Sequence, residues 1–235
     1  MTARPTIHIG IYGPDVSAGE KNGCGLWPAG VAAAVTAAEA TPRFLPEASE
    51  RSWGEVLEGA HGVVVIGHDH NHRRSITDAE ALVTWCHDHN VPLLGIDHGL
   101  LLLNTAHGGT LHNDLPRDLP EALQHRHPPE RGLRHAINVL PDTLLAELYG
   151  EGEVVVNSEH RRAVNRVARG LRICAQALDG VVEGIESHSD WWALAVQWNP
   201  AAATASGLDI QLFRGLIDAC VRRREPAHDE EQVAA

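Results

Sequence analysis

Within the segment 91–116, Gly95-Ile96-Asp97-His98-Gly99 places a carboxylate midway between two glycines, where the apolar run VPLLGID gives way to HGLLLLNTAHGG. A G-x-X-x-G spacing between a buried strand and a helix holds its central side chain on a sharp, strained turn, as in a nucleophile elbow. The helix that follows points free N–H groups and its positive dipole end at that side chain, which favours the ionised form. An aspartate there has four readings: general base, electrostatic group, metal ligand, or inert polar residue.

Histidines supply the second candidate group. The run GVVVIG (62–67) leads into Gly67-His68-Asp69-His70-Asn71-His72. Ligands of open α/β sheets sit at the carboxyl ends of parallel strands, so this loop is expected beside the turn at Asp97 and His98. Alternation lets at most two of the three loop histidines face one way. Histidine with aspartate suits a general-base dyad, and two histidines with a carboxylate suit a divalent metal. The bland alternative is chance, because the chain carries 16 histidines in 235 residues.

The elements that must position these groups alternate through the first half. TIHIGIY (6–12), RFLP (43–46), GVVVIG (62–67) and VPLLGID (91–97) read as strands. Residues 27–40, 51–60, 75–89 and the run after Asp97 read as helices, with Thr77 or Asp78 as the N-cap of the third. Continuous apolar runs such as GVVVIG suit parallel strands buried on both faces. The second half changes character. RHAINV (134–139), EVVVNS (153–158), LRICAQAL (171–178), VVEGIES (181–187) and ALAVQWN (193–199) are strand-like, with Asp179-Gly180 as a hairpin signal, and QLFRGLIDACVRRR (211–224) closes the pattern as a helix. This order predicts an α/β fold with a mixed central sheet, in one domain over residues 1–224 and a flexible tail over 225–235.

The formal net charge of −12 disfavours nucleic acid and anionic membranes as partners. No apolar run has the length of a membrane span and no signal peptide is read, so a cytoplasmic location is expected. Cys24, Cys86, Cys174 and Cys220 form no CxxC pair and read as reduced, mostly buried thiols.

The segment around Asp97 resembles the elbow of class I glutamine amidotransferases, and most closely the gamma-glutamyl-gamma-aminobutyrate hydrolase and gamma-glutamyl hydrolase branch. The resemblance rests on Gly95, Gly99, Asn104, Gly108, Gly109, Thr110, Leu111, Asp114 and Leu115. Three further blocks follow in the same order: VVVNSEHRRAV through Val156, Asn157, Ser158 and His160, then LRICAQALDGVVEGIE, then LAVQWNPA. The resemblance implies a flavodoxin-like three-layer sandwich and a small amide or gamma-glutamyl-type substrate. It also implies a triad whose three positions depart from the pattern, with Asp97 for the nucleophilic cysteine, Asn199 for the histidine and Ala201 for the glutamate. Gly67 falls where the family's strand end carries an oxyanion-hole loop, and Ser158 and His160 fall in a block that lines its substrate pocket.

Together these readings name Asp97, His98, His160 and Asn199 as catalytic candidates and Gly67, His68, His70, Gly99 and Ser158 as substrate-binding candidates. No cofactor is expected, with a divalent metal on His68, His70, Asp97 and His160 as the alternative. The expected partner is a small molecule, and a homodimer stays open. A binding protein without catalysis is the competing function. Trp191, Trp192 and Trp198 are expected in the core or a pocket wall, Asp179 and Glu183 as fold residues, His107, His112, His125 and His127 at the surface, and Arg161 and Arg162 on a solvated helix face.

Overall fold

Strands β3 (Gly62–Ile66), β4 (Leu93–Ile96) and β11 (Ala193–Val196) are buried along their whole length in the computed structural model. The structure describes residues 6–13, 27–46, 48, 51–66, 73–126 and 133–224. Gly67, His68 and His70, Cys24, His127 and the tail 225–235 lie outside these residues. The three strands are the short apolar runs of the sequence, and they pair in parallel in the middle of the sheet. Strands β1 (His8–Tyr12) and β2 (Thr41–Phe44) extend the parallel half, giving the order β2-β1-β3-β4-β11. Strands β10 (Val182–Ser187), β9 (Leu171–Ala177), β6 (Arg134–Val139) and β7 (Gly152–Asn157) continue it with every pairing antiparallel. The change of direction falls between β11 and β10.

Successive side chains of a strand face opposite ways, so a strand buried on both faces must feed two cores. Val64 and Ile66 join Leu94, Ile96 and Leu194 in a core closed by helices α1 (Trp27–Ala37), α6 (Leu144–Tyr149) and α7 (Ile210–Arg224). Val63 and Val65 join Leu93, Ala193 and Ala195 in a second core, closed by α2 (Trp53–Val56), α3 (Arg73–Asp88) and α4 (His98–Ala106). These are the three layers of a flavodoxin-like α/β sandwich. Each fully buried Val, Leu or Ile contributes about 1.5–3 kcal/mol, so the paired cores are the main source of stability.

Helix α3 starts at Arg73, before the Thr77 or Asp78 cap that the sequence predicts. Asp78 lies inside the helix, where its carboxylate accepts from the Tyr12 hydroxyl (3.1 Å) and the Ala48 N–H (3.1 Å). Its partners come from distant chain segments, and a local capping rule does not register them. Two strands not anticipated from the sequence, β5 (Thr110–His112) and β8 (Ala163–Arg166), form an antiparallel ribbon that β8 joins to β10. The short helix α5 (Leu115–Asp118) follows β5.

Candidate functional site

Asp97 follows β4 with φ 54° and ψ −113°, a backbone conformation that an L-residue adopts only under strain. Two hydrogen bonds hold it there. Its N–H donates to Val196 O of β11 at 2.8 Å, and its carbonyl accepts the Leu100 N–H at 2.9 Å. The flanking glycines are steric necessities. A Cβ on Gly95 would lie 2.7 Å from Ala195 Cβ and 2.9 Å from Gly99 O, and one on Gly99 would collide with Val65 O of β3. Strand, turn and helix therefore approach closely enough to lift the half-buried Asp97 side chain at the carboxyl end of the sheet. Gln197 Nε2 donates to Asp97 Oδ1 at 2.9 Å. The carboxylate does not cap α4, and His98 is the first helical residue, 5% exposed.

Asn199 and Ser158 serve the backbone. Asn199 Oδ1 accepts the Ala201 N–H at 2.9 Å, and the Asn199 main chain is bracketed by Asn157, whose Oδ1 accepts its N–H (3.0 Å) and whose Nδ2 donates to its carbonyl (2.9 Å). Ser158 Oγ donates to His125 O at 2.7 Å.

His160 is committed on both ring nitrogens. Nδ1 faces Arg162 O at 3.0 Å and Nε2 faces Glu183 Oε1 at 3.2 Å. The structure thus places it in a buried cluster with His125, His135 and Glu183, whose candidate ligand atoms lie within 4.8 Å of one another. The link from this cluster to Asp97 passes through Gln197. Its side chain holds Asp97, and its N–H donates to Glu183 O at 2.8 Å. Burial opposes ionisation of Glu183, but His160, His125 and His135 outweigh it and hold the carboxyl down at about 2. Burial likewise disfavours a charged His125, yet Glu183 and Asp179 prevail and raise its pKa. For His135 burial wins, and its pKa falls.

His125 is therefore a core residue rather than a surface one. The sequence offered only a hint of the cluster: His135 and Glu183 stand in the apolar strands β6 and β10, where a buried ionisable group needs a partner, but nothing local names that partner. Arg161 and Arg162 lie in the connection between β7 and β8 rather than on a helix. They bind Asp114 Oδ1 (2.8 Å) and Asn113 Oδ1 (3.2 Å), fastening the turn before α5. A cleft of about 590 Å³ opens beside the cluster, bounded by Leu115, Leu119, Leu123, His125, Glu159 and His160. Neither Asp97 nor Asn199 lines it.

The sequence profile of the peptidase C26 family matches residues 64–201, which include the elbow and the histidine cluster. A Mycobacterium tuberculosis protein with the provisional name glutamine amidotransferase Rv2859c is 33% identical, over 92% of this chain and 75% of its own. The gamma-glutamyl-gamma-aminobutyrate hydrolase PuuD of Escherichia coli K12 is 34% identical over 60% of this chain and 58% of its own. Among solved structures, the glutaminase domain of Trypanosoma brucei CTPS with bound acivicin superposes with a TM-score of 0.65 at 17% identity. It covers 92% of this chain and 94% of that one, a likeness of fold.

Proposed function

Because the chain belongs to the peptidase C26 family, within the class I glutamine amidotransferase-like superfamily, we propose that it acts on a small amide or gamma-glutamyl-type molecule through the Asp97 carboxylate instead of a thiolate. The observation that carries this reading is the strained turn at residue 97, with a carboxylate on its tip and one oxygen fixed by Gln197. A carboxylate attacking an amide would form a reactive anhydride, so general-base chemistry suits it better. In that step Asp97 takes a proton from water as the water oxygen bonds to the amide carbon. The C–N bond then breaks and the proton passes from Asp97 to the leaving nitrogen, giving a carboxylic acid and an amine. The N–H groups at the start of α4 lie where they can favour negative charge during attack.

A second reading, a protein that binds such molecules without turning them over, is favoured by Asn199. Its side-chain oxygen is taken by the Ala201 N–H, and an amide cannot shuttle a proton as imidazole does.

The test is amine release from a panel of gamma-glutamyl amides, glutamine included, followed by mass spectrometry with wild type, Asp97→Asn and Asp97→Ala. The proposal expects turnover of at least one gamma-glutamyl amide other than glutamine and a loss of about 100-fold or more in Asp97→Asn. Saturable binding with no turnover in wild type supports the second reading. Equal turnover in all three proteins overturns the role of Asp97.

A further inference from the structure

Three histidines surround one carboxylate oxygen. His125 Nδ1, His160 Nε2 and His135 Nε2 lie 3.1, 3.2 and 3.5 Å from Glu183 Oε1. Their other nitrogens fix the tautomers. His160 Nδ1 faces Arg162 O (3.0 Å) and His135 Nδ1 faces Ala136 O (3.2 Å). A carbonyl only accepts, so both Nδ1 atoms carry hydrogen. His125 Nε2 faces Asp179 Oδ2 (2.9 Å), and the Asp179 carboxylate also accepts the Leu123 N–H on Oδ2 (2.7 Å) and the Val181 N–H on Oδ1 (3.1 Å), so His125 Nε2 carries hydrogen. In the neutral rings the three remaining nitrogens therefore present lone pairs to a carboxylate. Four acceptors converge on one point, which requires positive charge among them.

We propose that this point is a zinc-type divalent cation site, with His125 Nδ1, His135 Nε2, His160 Nε2 and Glu183 as ligands. Zinc binds imidazole nitrogen and carboxylate oxygen at about 2.0–2.2 Å, so the edges of its tetrahedron measure about 3.3–3.5 Å. The nitrogen–oxygen separations of 3.1, 3.2 and 3.5 Å come within about 0.2 Å of those edges. The orphaned atoms fall in the same place: His125 Nδ1, His135 Nε2 and Glu183 Oε2 are buried without a hydrogen-bond partner among the described residues. Glu186, buried on the same strand, shows the contrast. It is satisfied by the Leu144 and Leu145 N–H groups and by Arg172. Metal-binding histidines are oriented by a carbonyl or carboxylate on the second nitrogen, and here all three have one. The charges suit a dication as well, since Glu183 and Asp179 together supply two negative charges.

Four protein ligands, all buried, describe a closed, structural site rather than one with an open position for catalysis. The ion ties the segment carrying His125 to β6, to the β7–β8 connection and to β10. It thereby fixes the wall of the 590 Å³ cleft that His125 and His160 line. This inference stands independently of the role given to Asp97.

The experiment uses full-length protein purified without a polyhistidine tag, stripped with a chelator and titrated with zinc, then with cobalt. Elemental analysis is expected to give one zinc per chain, and the cobalt form the visible absorption of a four-coordinate site. Glu183→Gln and His135→Ala should lose that equivalent. Asp179→Asn, which touches no metal, should weaken binding by about 10- to 100-fold while circular dichroism stays unchanged. The His68→Ala/His70→Ala double variant should keep the equivalent. Substoichiometric zinc by both routes overturns the site. So does an equivalent that survives Glu183→Gln and His135→Ala, or one that disappears with His68 and His70. If the ligand variants do not fold, Asp179→Asn and the cobalt spectrum decide.

Discussion

The residue that joins half-buried Asp97 to buried Glu183 is Gln197, through its side chain to the first and its backbone N–H to the second. It is 2% exposed, holds Asp97 Oδ1 through Nε2 and leaves Oε1 without a partner among the described residues. A hydrogen bond to a charged group contributes about 1.5–3 kcal/mol. Gln197→Leu should therefore lower any Asp97-dependent turnover by about 10- to 100-fold. A steady-state comparison should find the loss in kcat rather than KM, because the bond positions a reacting carboxylate. A change confined to KM would mean that Gln197 contacts the ligand instead. The glycine spacing around residue 97 was legible because only glycine permits those backbone approaches. The histidine cluster was not, since its members stand at 125, 135, 160 and 183 and meet only when β6, β10 and the β7–β8 connection are in place.

At the scale of elements, Asn104 joins α4 to the β5–β8 ribbon. Fully buried, it donates from Nδ2 to Thr110 O (3.2 Å) and Arg166 O (3.1 Å), and its Oδ1 accepts the Ala168 N–H (2.9 Å). A Cβ on Gly109 would strike this side chain, which explains the glycine. Each buried backbone group left unsatisfied costs about 1–3 kcal/mol. Asn104→Ala should destabilise the chain by at least about 2 kcal/mol, read as a fall in the urea midpoint at constant slope. A loss below about 0.5 kcal/mol, the size of an ordinary surface change, would place these bonds outside the stability of the fold. The main strands and long helices were legible as apolar runs and stripes. β5 and β8 were not, because three or four residues carry too little periodicity to separate a strand from a turn.

Across the whole molecule, the parallel half of the sheet carries the elbow and the antiparallel half carries the cluster. They meet where β11 lies parallel to β4 and antiparallel to β10. The turn at Asp97 sits at this boundary, and its backbone conformation is one that glycine accepts freely and alanine does not. Asp97→Gly and Asp97→Ala both lose the bond from Gln197, so their difference isolates the main chain. Strain of about 1–3 kcal/mol, in a chain of this size, separates their melting temperatures by roughly 2–12 °C, with the glycine variant higher. Equal melting temperatures would mean that the turn relaxes once the side chain is gone. Elsewhere, in helices and strands, alanine is the more stable of the two. At residue 97 the order inverts, and a pair of thermal scans becomes a gauge of how much conformational energy the protein keeps loaded behind a single carboxylate.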